Sequence, residues 1–459
     1  MATLKAIPMP EIALPTVRPG VPVSEYARRI EETISAIREE GLDVLVVFGD
    51  REQSGDLHFL TGVDPRFEEA ILLLDSNGKR SILLGNENQS VGPGSSLGVE
   101  QVLYQELSPL GQFRHNPVQL AEVLAGFGIS AGTKVGIAGG KYLTAGFVKD
   151  PQNSFTVPSY LVDTVRELAG HANVQNAVEI FLNPSRGLRT VADVHQMAEY
   201  EYAGAVCSVS VHRAVRALRP GAVSWQVADT MFSFGLERSV HDMVNLGSRT
   251  AQGLKSPMHQ VAKLGDAYQV AQGIRGALTC RSGAIANTVD DLAEDVREFY
   301  PALSGAYFDT LVTWYEALAL GVTTGDVFSA ADKSRNDDLF DFALNPGHLL
   351  DFEEWSVSPF TAGDRTRLRS GMVLQGDIIP AGKGPHVGVN VEDGLALADQ
   401  ELRTQIQNLY PEMWERITAR REYVTKNIGV ELDESVLLFS NTPLWHAPFS
   451  LDTSRALTK

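Results

Sequence analysis

Cysteine is nearly absent from this sequence: the chain of 459 residues contains two, Cys207 and Cys280. Two cysteines exclude a disulfide framework and a cysteine-rich zinc site. Long apolar runs are missing too, since no stretch approaches the ~20 residues of a membrane-spanning helix. The first residues, Met1 to Pro15, carry several prolines and lack the basic and then apolar layout of a signal peptide. These absences predict a cytoplasmic protein that does not have a membrane as its partner.

Positive charge is scarce as well. The 39 lysines and arginines are outnumbered by 57 aspartates and glutamates, which gives a net charge of −18 at pH 7. So acidic a chain argues against nucleic acid as a partner, because phosphate backbones attract basic surfaces. Hydrophobic residues make up 44% of the sequence, enough to build a large core and to exclude general disorder. A small molecule is the partner class that these numbers favour.

Helical and strand-like patterns alternate along the chain, which predicts the α/β (α+β) class. The segment from Asn183 to Gly187 is rich in turn-forming residues and is interpreted as a linker. We therefore predict two domains, residues 1–185 and 186–459. Thr190 and Asp193 resemble a capping box that would open the first helix of the second domain.

Polar residues that could take part in catalysis or binding lie at intervals on the glycine-punctuated strands predicted for the second domain. They are two histidines and three acidic residues: His259, His348, Glu354, Asp377 and Glu392. An imidazole with an ordinary pKa of ~6.5 can take up and return a proton near neutrality. The sequence predicts that these five side chains line one pocket.

Short motifs occur in a fixed order around these residues. In the second domain they are Leu218-Arg-Pro-Gly221, His259, Leu264-Gly-Asp266, Gly347-His348, Gly371-Met-Val373 and Val391-Glu-Asp393. In the first domain they are Tyr26-Ala-Arg-Arg29, Gly41-Leu-Asp-Val-Leu-Val-Val47 and Phe59-Leu-Thr-Gly62. In this order they resemble the pita-bread hydrolases, which include creatinase, aminopeptidase P and prolidase. The resemblance implies a creatinase-type N-terminal domain followed by a pita-bread catalytic domain.

The metallopeptidases of that family bind two divalent ions with two aspartates, a histidine and two glutamates. The two stretches that should carry the aspartates, 270–272 and 278–282, contain no acidic residue. His348, Asp377 and Glu392 stand at the other three ligand positions. We therefore expect no two-ion centre and no cofactor, and a single weakly held ion remains an open alternative.

Creatinase works without metal, and the resemblance carries its roles over to matching residues. It implies that His259 is the general acid and base, that His348 donates a hydrogen bond, and that Glu354, Asp377 and Glu392 bind a cationic group. The preferred function is metal-independent hydrolysis of a C–N bond in a small amino-acid-like or guanidino-type molecule. Elimination would use the same proton shuttle. The alternatives are a metallopeptidase that cleaves before proline and a non-catalytic binding protein.

Three further residues are candidate substrate contacts. Arg281 could clamp a substrate carboxylate or could neutralise the acidic residues around it. Arg66 and Phe67 lie in a densely charged stretch that could simply be a solvated loop. In creatinase-like homodimers, however, an arginine and an aromatic residue at matching places reach the neighbour's active site. This resemblance predicts a homodimer in which Arg66 and Phe67 contact the partner's substrate.

Overall fold

The computed structural model describes residues 2–93, 95–115, 117–253, 255–385 and 387–459. The chain forms two units, residues 21–190 and residues 2–20 with 191–459. The first strand, β1 (Thr3–Ala6), belongs to the second unit because it pairs antiparallel with the last strand of the chain, Arg455–Thr458. The expected linker around Asn183 lies inside the first unit, where the Gly187 N–H donates to the Asn183 carbonyl oxygen. The boundary in the structure therefore follows Thr190 rather than residue 185.

The first unit is a mixed sheet with helices on both faces. Its helices and strands are α1 (Val23–Glu39), β2 (Val44–Gly49), α2 (Gly55–Thr61), β3 (Ala70–Asp75), β4 (Arg80–Leu84), β5 (Glu100–Leu103), α3 (Leu120–Phe127), β6 (Val135–Ala138), α4 (Ser159–Ala169), β7 (Val174–Asn176) and α5 (Glu179–Leu182). The strand order is β5-β4-β3-β2-β6-β7. Leu45 and Val47 of β2 pack into one apolar core and Val44 and Val46 into another, so this strand is buried on both faces.

The second unit contains a larger, antiparallel sheet. Its remaining elements are α6 (Val194–Ala217), α7 (Ser224–Ala228), β8 (Val240–Leu246), β9 (Ala267–Ile274), β10 (Ala277–Ala284), α8 (Phe299–Glu316), α9 (Thr324–Ser334), β11 (Phe340–Phe342), β12 (His348–Asp351), β13 (Glu354–Val357), β14 (Val373–Gly376), β15 (Pro380–Gly382), β16 (Val391–Leu397), α10 (Gln400–Leu409), α11 (Pro411–Tyr423), β17 (Val436–Leu438) and β18 (Arg455–Thr458). Seven strands follow the order β13-β12-β14-β16-β10-β9-β8, and β17 pairs with β16. The predicted α/β (α+β) class is confirmed. Among the described residues, no helix is both long and apolar enough to cross a membrane.

The long helix α6 begins one residue after Asp193. The Asp193 carboxylate accepts hydrogen bonds from the His195 and Gln196 backbone N–H groups, so Asp193 is the N-cap. The prediction that Thr190 opens this helix is wrong, because the Thr190 hydroxyl donates to the Gly187 carbonyl oxygen instead. Both residues have capping side chains, and the sequence pattern alone did not decide between them.

Strand pairing in the second unit fixes which side chains share a face of the sheet. Cys280 pairs with Glu392, and His348 pairs with Gln375. Gln375 in turn pairs with Gly394, two residues beyond Glu392. Directly paired residues point to the same face, and so do residues two apart on one strand. His348, Gln375, Glu392 and Cys280 therefore lie on one face of the sheet.

The opposite face carries a buried ion pair between neighbouring strands. The Arg281 guanidinium donates to both carboxylate oxygens of Asp393, at 2.8 and 2.9 Å. It also donates to the Glu392 carbonyl oxygen at 3.1 Å and to the Thr442 hydroxyl at 2.8 Å. Arg281 is 3% exposed and Asp393 1% exposed, so both charges depend on these partners. The pair locks β10 against β16 directly behind Glu392.

Removal of this guanidinium should destabilise the fold strongly. We expect Arg281→Ala to lower the free energy of unfolding by about 3–5 kcal/mol, because it leaves the Asp393 carboxylate buried without its cation. Urea denaturation followed by circular dichroism measures the change. The double variant Arg281→Met with Asp393→Leu is the control, and it should lose less because no uncompensated charge remains. A loss below about 1 kcal/mol in the single variant, as for an exposed pair, would contradict this account.

Candidate functional site

Four polar side chains of the second unit meet where strands β12, β13, β14 and β16 lie side by side. His348 begins β12, Glu354 begins β13, Glu392 lies in β16, and Asp377 directly follows β14. One ligand atom from each of His348, Glu354 and Glu392 lies within 4.8 Å of the others. Asp377 interacts electrostatically with His348 and Glu354. We call these four residues the carboxylate cluster.

His348 lies at the centre of the carboxylate cluster and is completely buried. Its Nδ1 lies 3.1 Å from the Leu349 carbonyl oxygen, to which it donates as N–H. This leaves Nε2 at 3.3 Å from Glu354 Oε1. Burial lowers the pKa of His348, but the Glu354 and Asp377 carboxylates more than offset it, so the pKa is raised overall. The indole of Trp355 stacks on the imidazole with ring centres 3.9 Å apart, which fixes the orientation of the ring.

Glu354 reaches His348 because of an unusual backbone conformation. Its φ is +76°, in the left-handed region that favours glycine. It pairs with Asp351 across a two-residue turn made of Phe352 and Glu353. A non-glycine residue in this conformation costs about 1–3 kcal/mol, and such strain is concentrated at functional sites. The chain therefore accepts strain at the residue that brings the third carboxylate to the histidine.

Asp377 and Glu392 are held where an ionised carboxylate is costly. Burial, with the neighbouring acidic groups, raises the pKa of Asp377 to about 7 and that of Glu392 well above its usual range. Among the described residues, no lysine or arginine forms an ion pair with Glu354, Asp377 or Glu392. The carboxylate cluster therefore needs shared protons or a bound cation to balance its charge.

Two neighbours of the carboxylate cluster were not singled out from the sequence. The Gln375 amide donates to Glu392 Oε1 at 3.2 Å and to the Leu278 carbonyl oxygen at 2.6 Å. Trp355 supplies the ring that stacks on His348. The strand alternation that places Gln375 two residues before Asp377 was a usable signal, because residues two apart share a face. The pairing of β12 with β14, which brings Gln375 to His348, leaves no local mark in the sequence.

His259 is not brought into this cluster. It lies on an exposed segment, and among the described residues no hydrogen bond or ion pair joins it to the four. The next residue, Gln260, donates to the Leu246 carbonyl oxygen at the end of β8. Strand β8 is at the opposite end of the sheet order from β12 and β13. Of the five residues expected to line one pocket, the structure brings four close together and leaves His259 apart from them.

Arg281, Arg66 and Phe67 are the remaining candidate substrate contacts. The two terminal nitrogens of Arg281 donate to Asp393, Thr442 and backbone oxygens, so of its two alternatives the neutralising one fits its contacts. Arg66 and Phe67 belong to the first unit. Arg66 pairs with Asp64 at 3.0 Å, and the Phe67 ring is 77% exposed. Their contact with a partner's substrate stays a prediction.

The donor set of the carboxylate cluster decides which metal centre could fit. His348, Glu354 and Glu392 offer one nitrogen and two carboxylates, a set that suits one divalent ion. Ala271 and the strand from Leu278 to Ser282 supply no carboxylate. Two-ion centres in hydrolases rely on bridging carboxylates held between the ions. The residues present fit one ion and do not fit two.

A small cavity of about 220 Å³ lies along the same face of the sheet. Gln269, Ser282 and Asn390 line it, and each is two residues from Ala271, Cys280 and Glu392 respectively. Residues two apart on a strand share a face, so the cavity lining continues the row of the carboxylate cluster. Its polar lining is uncharged, which suits the neutral or hydrogen-bonding part of a small molecule.

No protein-family model and no curated protein matches this sequence. Solved structures match over most of the chain. A prolidase from Thermococcus sibiricus is 18% identical with a TM-score of 0.62, over 83% of this chain and 96% of that one. The dipeptidase PepE from Mycobacterium ulcerans is 20% identical with a TM-score of 0.60, over 82% and 94%.

Aminopeptidase P from Escherichia coli, in a structure with its substrate, gives a TM-score of 0.57 at 15% identity, over 82% of this chain and 93% of that one. At such low identity the likeness establishes the fold and no activity. It agrees with the resemblance drawn from the ordered sequence motifs. The chain has the pita-bread fold of the prolidases, Xaa-Pro dipeptidases and aminopeptidase P.

Proposed function

We propose that this chain hydrolyses a C–N bond in a small, positively charged molecule of amino-acid or guanidino type. The observation that carries the proposal is the carboxylate cluster itself. Three carboxyl groups surround His348, and within the described chain no arginine or lysine balances them. A cationic substrate would supply the missing charge at the place where the proton-transfer groups lie. The fold supports the general reaction class, since its solved neighbours are named as peptidases.

Hydrolysis of a C–N bond needs one group that takes a proton from water and one that gives a proton to the leaving nitrogen. His348 is the candidate donor, because Glu354 and Asp377 favour its protonated form. Asp377, with its pKa near 7, is the candidate acceptor. The sequence assigned proton transfer to His259, which remains the alternative shuttle. No step in this proposal passes through a metal ion.

We also propose that two copies of the chain contact each other near the substrate. We expect a homodimer in the cytoplasm in which Arg66 and Phe67 of one chain approach the substrate of the other. Phe67 is 77% exposed, so its ring is accessible to another molecule.

A metal-dependent peptidase that cleaves before proline is the second candidate function. The named activities of the solved neighbours favour it. A divalent ion bound by His348, Glu354 and Glu392 would supply Lewis-acid polarisation of an amide carbonyl. The absence of carboxylates from β9 and β10 counts against the two-ion form of this chemistry.

Substrate turnover in the presence of a chelator separates the two functions. Purified protein would be assayed against guanidino, amidino and amide amino-acid derivatives and against Xaa-Pro dipeptides, with and without EDTA. We expect turnover of a cationic compound at the same rate in both conditions, because the chain's own residues move the protons. Activity confined to Xaa-Pro dipeptides, lost with EDTA and restored by Mn²⁺, would establish the peptidase instead.

Single-residue variants identify the proton shuttle. We expect His348→Ala to lower kcat by about 10²–10⁴-fold on the compound found in that assay, the usual cost of losing a positioned acid or base. His259→Ala is the matched control and should change kcat by less than about tenfold, because the residue is exposed and outside the carboxylate cluster. The reverse pattern would assign the shuttle to His259.

The coupling between Glu354 and His348 is measurable without any substrate. Because the Glu354 carboxylate raises the pKa of His348, we expect Glu354→Gln to lower that pKa. Titration of the His348 ring by NMR measures the change. Glu353→Gln is the control, since it removes the neighbouring carboxylate and keeps the Glu354 Oε1 contact with His348 Nε2. An unchanged His348 pKa in Glu354→Gln would contradict the geometry of the carboxylate cluster.

A further inference from the structure

An apolar cluster lies directly beside the carboxylates. Met243, Ala271, Leu278 and Cys280 are buried and pack together. Three of them follow one another across the sheet, since Met243 pairs with Ala271 and Ala271 with Cys280. Cys280 then pairs with Glu392. Met243, Ala271 and Cys280 therefore form an apolar row across the sheet from β8, and Glu392 is the charged residue at its end.

The Gln375 amide lies between the apolar cluster and the carboxylate cluster. Its Nε2 bonds both Glu392 Oε1 and the Leu278 carbonyl oxygen, so one amide joins β14 to β10 and β16. One oxygen of the Glu392 carboxylate, Oε1, is therefore already engaged by a neutral hydrogen-bond donor. An ion here would also have to replace its water ligands, and methyl and methylene groups offer none.

We infer that this pocket holds at most one divalent cation, at His348, Glu354 and Glu392, because Met243, Ala271, Leu278 and Cys280 close the space that a second ion would need. On this face of the sheet the carboxylate cluster therefore adjoins a group of apolar side chains that offers no ligand to an ion. This inference concerns the capacity of the pocket for ions and is independent of the reaction proposed above.

Mn²⁺ titration of the whole chain tests the inference on the protein as it is. Apo protein would be titrated with MnCl₂ by calorimetry, and the bound ion examined by electron paramagnetic resonance. We expect no more than one Mn²⁺ per chain and no spectrum of exchange-coupled manganese pairs. Two Mn²⁺ bound per wild-type chain, with a coupled spectrum lost in His348→Ala, would overturn the inference.

A gain-of-binding variant tests the assignment of the closing residues. The double variant Ala271→Asp with Leu278→Asp places two carboxylates on β9 and β10, on the face of the sheet that carries Glu392. We expect it to bind one more Mn²⁺ per chain than the wild type and to show a coupled spectrum. Ala271→Asn with Leu278→Asn is the matched control, of similar size without charge, and should keep the wild-type stoichiometry.

The double-aspartate variant can also contradict the inference. A folded double-aspartate variant that binds no additional Mn²⁺ would show that these residues do not close the second position. New buried carboxylates also carry a desolvation cost, so melting of each variant would be followed by circular dichroism. If the double-aspartate variant does not fold, the wild-type stoichiometry decides: one ion or none supports the inference, and two ions overturn it.

Discussion

The buried pair between Arg281 and Asp393 is the interaction on which the candidate site depends. It lies on one face of the sheet and joins β10 to β16. The register that it holds places Glu392 opposite Cys280 on the other face. A slip of one residue would move Glu392 to the wrong face, because side chains alternate along a strand. An ion pair on the opposite face of the sheet therefore fixes the position of the Glu392 carboxylate in the candidate site.

Charge balance is the second constraint on the site. Three carboxyl groups and one imidazole lie in a buried volume, and an ionised carboxylate there is costly without compensation. The backbone of Glu354 is strained, and its side chain adds the third carboxylate to the site. A glycine would adopt the same conformation at no steric cost. Such an arrangement is consistent with a site that receives positive charge from a ligand. The apolar cluster on β8, β9 and β10 limits how much of that charge metal ions could bring.

The sequence predicted the fold and much of the site because its motifs are local. Gly347-His348 and Val391-Glu-Asp393 are short and contain His348 and Glu392, while Asp377 follows the motif Gly371-Met-Val373; the structure brings these three residues together. The position of His259 was not predictable in this way, because it depends on β8 lying at the far end of the sheet from β12. Gln375 and Trp355 were missed because their roles arise from strand pairing and from the turn before Glu354.

A crystal structure of the protein with a bound cationic ligand would show whether the carboxylate cluster is a substrate site. Crystals would be soaked with a guanidino or amidino amino-acid derivative in the presence of EDTA. We expect the cationic group of the ligand to lie against Glu354, Asp377 and Glu392, with the scissile nitrogen near His348. A ligand bound away from these residues, or a pocket occupied by two divalent ions in crystals grown without EDTA, would contradict it.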